Sequence, residues 1–385
     1  MTAPLDAPVG LAAGSPPRRR RSRRVSEAAL GYAFVLPALV IFGSFVYFPF
    51  AKTIRQSFYR SNPFDPSQET FAGTDIYEQV LDPAGMGRAV ASFGLPVGVV
   101  AGLLLTVVAI GILRLTARAI TRSTWLRTGA WCIGVAIVVA SVCKYSGIGV
   151  EPTTTTRFAN SLGVTLQFVL MTVPTGLVLG IGLAVLAHTQ CKGIGIYRTI
   201  FSSTVVSSVA VTSVIFFTLL NPIIGLIPYW LGIEGEGPIL TNPTWALPAV
   251  AIASIWQSLG LSFIVMSAGL QSVPDDLLEA ASVDGAGSIR RFWSVTLPML
   301  SPTVFFAAVV GLIFAFQTFG QIDILTQGGP NYRTDVIVYA IKSTAVTQSP
   351  NYGAAAVMAI ALFVITLGVT AMQLKFVERR VSYDR

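Results

Sequence analysis

Eight stretches of this chain are long and apolar enough, or nearly so, to cross a bilayer, and none contains Asp, Glu, Lys or Arg. They lie at about residues 30–50, 93–113, 128–143, 161–187, 199–220, 244–270, 299–320 and 353–374. A hydrocarbon core takes about 20 apolar residues per helical crossing, and backbone groups inside it must be satisfied within the segment. The pattern therefore predicts an all-α integral membrane fold with about eight transmembrane helices, the run at 128–143 being the shortest. Pro37, Pro96, Pro174 and Pro248 mark expected kinks or interfacial starts. Only 11% of the 385 residues are charged and 53% are hydrophobic, against roughly 25% charged in soluble domains. A water-soluble enzyme of this length is excluded.

Charge placement orients the crossings. Six of the 26 basic residues form one run, Arg18 to Arg21 with Arg23 and Arg24, just ahead of the first apolar stretch. Such a run holds a helix end in the cytoplasm, which explains the net charge of +8 without nucleic acid. Glu27 and the lack of a small-residue cleavage site argue against a twin-arginine export signal. With the N-terminus inside, 18 basic residues fall on the inner side and eight on the outer, the skew that the positive-inside rule demands. Eight crossings then leave both termini cytoplasmic, with residues 1–27 as a disordered basic tail.

No catalytic apparatus is visible. GxxxxGK[ST], GxGxxG after a strand, GxSxG and HExxH are all missing. Cys132, Cys143 and Cys191 fit no paired disulfide framework or CxxC site. His188 lacks the neighbours of a metal ligand and reads as a residue at a helix end. Ion-driven carriers usually keep ionisable groups inside the bundle, so the uncharged cores imply that energy enters from another protein. An ion-coupled secondary carrier is the rival from a different class.

The inner segment 271–298 is unlike the other loops. Pro274 suits a first helical turn, Ser272 and Asp275 suggest a capping arrangement, and Asp275, Asp276 and Glu279 suit the positive end of a helix dipole. Gly285 can close the helix in the left-handed conformation. A second short helix is expected through Arg290, Arg291 and Phe292, with the next crossing starting at Leu297-Pro298. Ala280 and Ala281 leave a nearly bare face between Glu279 and Asp284. That face fits either close docking into another protein's groove or an interfacial helix at the headgroups, although the latter class prefers the basic and bulky residues missing here.

Glu279-Ala280-Ala281, Gly285, Val295, Thr296 and Leu297-Pro298 resemble the EAA loop of binding-protein-dependent ABC importer permeases, with Val295 where Ile is usual. Gly269 to Pro274, Ser282 to Ala286 and Leu325-Thr326-Gln327-Gly328-Gly329-Pro330 are similar to the carbohydrate-uptake branch, and to its maltose-type larger permease subunit in particular. The resemblance covers roughly residues 28–90 and 157–380. It implies a type I importer core of six crossings in a bacterial cytoplasmic membrane, working with a second homologous permease, two ATPase subunits and an extracytoplasmic binding protein. ATP and Mg would be held by the ATPase subunits, and this chain would bind no cofactor and no metal. Glu279, Ala280, Ala281, Asp284 and Gly285 would contact the ATPase. Trp256, Leu259, Gly260, Phe263, Ile313, Phe316, Gln317 and Gly320 would line the sugar path, with Gln317 the leading polar contact.

Two departures from that family stand out. Ser202-Ser203 replaces the usual Leu-Pro after Phe201, which predicts a helix there straighter than in relatives. Residues 91–156 occupy the place of a large outer domain but read as an inserted membrane hairpin, because Arg114, Arg118, Arg122 and Arg127 put its connection in the cytoplasm. The expected organisation is the tail 1–27, a first crossing and outer segment 28–90, the hairpin 91–156, packed on lipid or a partner, and the permease core 157–380. The cargo is expected to be a mono- or oligosaccharide, with glycerol 3-phosphate or a glycerophosphodiester as the alternative.

Overall fold

The computed structural model describes residues 32–61, 69–81, 157–188, 193–221, 223, 225–227, 239–346 and 350–377. The basic tail and the apolar runs at 93–113 and 128–143 lie outside the described residues. Among the described residues, five helices are long and apolar enough to cross a membrane, and a bent pair makes a sixth. The count of eight is thus not reached here, whereas the six match the expected core.

The chain divides near Arg55 into two units. Helix α1 (Tyr32–Gln56) contains a π-helical turn at Gly43–Tyr47 and exposes apolar side chains all round, Phe34, Phe45 and Phe48 among them. A helix hydrophobic on every side needs lipid or protein as its solvent. From Gln56 onward the second unit starts with a short antiparallel hairpin, β1 (Tyr59–Ser61) with β2 (Glu69–Phe71), which the all-helical expectation did not include. Helix α2 (Asp75–Leu81) follows.

The core is built around α3 (Arg157–His188) and α6 (Ala246–Gln271), which lie against each other. Small residues allow the approach: a Cβ on Gly180 would stand 2.7 Å from Ser262 Cβ and 3.2 Å from its carbonyl carbon. Such close crossings hold helices together where lipid removes the hydrophobic drive for association. Between these two helices in sequence come α4 (Ile194–Ser202), a 3-10 turn at Ser203–Val206 and α5 (Val209–Leu219). Beyond α6 come α7 (Asp275–Val283), α8 (Ser288–Phe316), α9 (Gly320–Leu325), α10 (Ile337–Val346) and α11 (Tyr352–Val377).

Buried side chains collect at two levels. Towards the end bearing α7, Leu183 and Ala187 of α3, Phe263, Met266 and Leu270 of α6 and Leu300 of α8 form one cluster, flanked by Tyr197 and Phe201. At the opposite end, Phe168, Phe216, Val250, Ile322 and Val336 form another, while Phe158, Ile76, Ile337 and Val357 join α2, α3, α10 and α11.

Two local features qualify the expectations. The α4–α5 segment is bent by 107° at Ser207, whose backbone is extended, so the chain breaks here without a Leu-Pro. Ser202, Ser203 and Thr204 each turn a hydroxyl back onto a carbonyl of the preceding turn, Arg198 O at 2.7 Å, Ile200 O at 2.7 Å and Phe201 O at 3.0 Å. Hydroxyls that take over backbone acceptors bend helices. Within α8 the expected short helix forms over Ser288–Arg291 and the long α-helical stretch starts at Leu297-Pro298, as read. What was not expected is that a π-turn over Phe292–Thr296 joins the two into one helix, with Leu297 N–H donating to Phe292 O.

Gly180→Leu should force α3 and α6 apart at a cost of about 1–3 kcal/mol for overpacking. The expected result is a lower thermal midpoint in detergent, whereas Gly368→Leu, with nothing within 4 Å of its Cβ, should leave the midpoint of the isolated chain in place.

Candidate coupling and transport site

Helix α7 projects from one end of the bundle with no buried residue of its own. Pro274, in extended conformation, begins it, and no side chain caps it. Ser272 does not form the expected capping arrangement, because its hydroxyl donates at 2.7 Å to Gly269 O at the end of α6. Asp275 and Asp276 do lie in the first turn, where the helix dipole favours negative charge. The C-terminus closes as read: Gly285 has φ +77°, its N–H donates to Ser282 O at 3.0 Å, and Ala286 N–H donates to Ala281 O at 2.9 Å. This paired closure satisfies carbonyls that the helix end would leave open. Val273, buried beside α6, anchors the entry, while Glu279, Ala280, Asp284 and Gly285 are exposed and Ala281 is half-buried. Val283 is 88% exposed. Of the five residues expected to meet an ATPase, Glu279, Ala280 and Ala281 therefore lie on one short helix and Asp284 and Gly285 close it, and none of the five is buried among the described residues.

The other end of the bundle holds ion pairs. Arg157, the first residue of α3, donates from Nε at 2.9 Å and Nη2 at 3.3 Å to the two carboxylate oxygens of Asp335, and from Nη2 to Ser343 Oγ at 2.6 Å. Its guanidinium also lies over the Tyr332 ring. Asp335 is fully buried. Burial raises its carboxyl above the ordinary value of 3.8, and the Arg157 hydrogen bond and charge lower it only in part. Beside it, Lys342 Nζ pairs with Asp323 at 2.6 Å and lies over the stacked rings of Phe319 and Tyr339.

The stretch Leu325 to Pro330 leads into this region as a tight turn. Gln327 and Gly328 have positive φ, the Gly329-Pro330 peptide is cis, and Thr334 Oγ1 donates to Gly329 O at 2.7 Å. Sequence reasoning picked out the turn but not Asp335, which lies 178 residues from its partner.

Most of the residues expected to line the path are engaged in packing. Trp256 meets Phe216 edge to face, and Phe263 joins the aromatic group of Tyr197 and Phe201. Phe316 is buried with Val169 and Ala315. Gly260 lies under the turn at Thr204–Val205, and Gly320 faces Val209. Leu259 and Ile313 are half-buried. Gln317 is exposed at the end of α8, its backbone N–H shared between the carbonyls of Ile313 and Phe314.

Two other glutamines meet at the middle of the bundle. Gln321 Nε2 donates at 2.7 Å to Gln257 Oε1, and Gln257 Nε2 reaches Ser207 O at 3.4 Å. Both were passed over in the sequence. Weighing the cost of a buried amide at every glutamine in an apolar run would have found Gln257.

A bundle of broken and unbroken apolar helices, with a short solvent-facing helix between two crossings, defines a multi-pass membrane permease. Residues 176–383, more than half the chain, match the family of binding-protein-dependent transport system inner membrane components. The chain belongs to that family, and so is a transport subunit rather than an enzyme. It is 37% identical over 229 residues to the sn-glycerol-3-phosphate transport system permease protein UgpA of Agrobacterium fabrum, covering 59% of this chain and 78% of that protein. It is 35% identical to the UgpA protein of Rhizobium meliloti with the same coverage. The fold is similar to that of a bacterial ABC transporter involved in import of the acidic polysaccharide alginate, with a TM-score of 0.64 and 21% identity over 95% of this chain and 100% of the other.

Two variant pairs test this geometry. Gly285→Asn, which tolerates the left-handed conformation, should keep transport coupled to ATP hydrolysis. Gly285→Val, at a position with space for a side chain but not for its backbone angle, should uncouple it while leaving membrane insertion intact. At the other end, Arg157→Leu should destabilise more than Asp335→Asn, because it strands a buried carboxylate. A carboxyl whose pKa rises on folding contributes less stability as pH climbs from 3.8 through the folded value. The thermal midpoint of the native chain should therefore gain on that of Asp335→Asn as pH is lowered from 7 towards 4.

Proposed function

We propose that this chain is one of two permease subunits of an ATP-driven importer that takes up a neutral sugar delivered by an extracytoplasmic binding protein. The observation that carries the coupling half of this reading is the exposed, glycine-closed α7 helix with Glu279, Ala280, Ala281, Asp284 and Gly285 on it. That helix would seat in a cleft of an ATPase subunit. ATP binding, with Mg, would bring two ATPases together and rock the permease pair between inward and outward states. The α7 end would face the cytoplasm, because Arg290 and Arg291 follow α7 directly and positive charge marks the inner side.

A neutral cargo is supported by the charges. At bundle depth the polar groups among the described residues include the neutral amides of Gln257 and Gln321 and the hydroxyls of Thr172, Thr212 and Ser213, none of them charged. At the far end, Arg157 and Lys342 are each matched by a carboxylate, which leaves Arg333, in the turn before Asp335, as a cation without an ion pair among the described residues. At Arg157 and Lys342 an anion would find no uncompensated cation, and charge in a low-dielectric interior is costly without one. The second reading, glycerol 3-phosphate, is favoured by the names of the two UgpA relatives. Gln317, exposed at the end of α8, remains a candidate cargo contact beside Trp256, Leu259, Gly260, Phe263, Ile313, Phe316 and Gly320.

Purification of the full chain from its own membrane should bring down a second permease and an ATP-hydrolysing subunit. Uptake by that complex in vesicles should follow ATP and be unaffected by proton or sodium ionophores. A chain that purifies alone and transports on an ion gradient would be a secondary carrier. The cargo is settled by the solute that co-purifies with the binding protein, a neutral sugar on the first reading and a phosphorylated polyol on the second.

A further inference from the structure

The bend at Ser207 is gripped from two sides, and the gripping elements are tied to each other. On one side α6 lies against the turn before the bend: a Cβ on Gly260 would stand 2.7 Å from Val205 N. On the other side α9 lies against the first turn of α5: a Cβ on Gly320 would stand 2.6 Å from Val209 Cγ1. Gln257 lies three residues before Gly260 and Gln321 directly after Gly320. Their side chains bond at 2.7 Å, and Gln257 extends the chain to Ser207 O. The extended backbone at Ser207 takes this carbonyl out of the helical ladder, and in hydrocarbon such a group needs another donor.

We propose that Gln257 and Gln321 are positioning residues that latch this bend, and that their bond exchanges during the transport cycle. Helix α6 runs from Gln257 to Gln271 and is separated from α7 by three residues, Ser272 to Pro274. A displacement of α7 is therefore delivered along about 20 Å of continuous helix to the point where α6 meets the bend. A primary amide suits such a latch. It carries donors and acceptors on one group, so it can re-pair without leaving a buried atom unsatisfied, which a buried ion pair cannot do. Three back-bonded hydroxyls already loosen the preceding turn, so the bend is the compliant point of the bundle and the amide pair is what holds it. This inference rests on reading Glu279 to Gly285 as the ATPase contact.

The test uses the full importer complex in vesicles, with Gln257→Met, Gln321→Met and the double variant, which keep volume and remove the amide. Each should raise ATP hydrolysis measured without binding protein or cargo by at least threefold and lower the cargo moved per ATP. The double variant should match Gln257→Met, because Gln257 carries both the bond to Gln321 and the reach to Ser207 O, so that losing Gln321 as well removes nothing further. Backbone amides at Ser207 to Val211 should also exchange hydrogen faster in each variant. Unchanged basal hydrolysis with unchanged exchange would overturn the latch. Effects that add in the double variant would overturn the shared bond, and a change confined to half-saturating cargo concentration would make the pair a cargo contact instead. If Gly285→Val uncouples normally while the Met variants do not, the latch alone fails. If Gly285→Val has no effect, the ATPase reading fails first.

Discussion

The described bundle depends on one constraint: a polar backbone in hydrocarbon has to find its partners inside the protein. Straight helices meet it by themselves. At several of the described departures from a helix, a side chain steps in. Ser202, Ser203 and Thr204 pair carbonyls ahead of the bend, Ser208 Oγ accepts Val211 N–H after it, and Gln257 reaches the carbonyl between. Arg198 Nη2 donates to Ala187 O at the end of α3, and Thr165 Oγ1 accepts Ile337 N–H at the start of α10. The bundle can be broken and re-entrant because these departures are each satisfied.

Within that frame α6 is the connecting part. Through Ser262 it packs closely on Gly180 of α3, through Gly260 on the turn before the bend, and through Phe263, Met266 and Leu270 on α4 and α8. Its end leads to α7 with only three residues between. Force applied to α7 therefore has a continuous route into the bundle. The far end, locked by Arg157 with Asp335 and by the turn from Gln327 to Thr334, is a firm abutment for that motion.

Much of this was legible in the residues because it is local. Apolar runs gave the described crossings, the Pro274 to Gly285 pattern gave the short helix α7, and Gly285 takes the left-handed angle that a closing glycine supplies. What was misread depends on competition between local groups. Ser202-Ser203 suggested a helix straighter than in relatives because proline was missing, yet hydroxyl back-bonding also bends helices. Ser272 was read as a cap for α7 but pairs with the closer carbonyl of Gly269. What was missed is long-range: Arg157 with Asp335, and Gln257 with Gln321, become partners only once the fold brings distant segments together.

On the proposed reading α7 docks on an ATPase and does not rest on lipid as an interfacial helix. Val283, exposed at the end of α7, distinguishes the two. A photo-crosslinking residue at position 283, activated in native membranes, should give an adduct with the mass of the chain plus an ATP-hydrolysing subunit, and nucleotide should change its yield. Adducts with lipid alone, insensitive to nucleotide, would contradict the account.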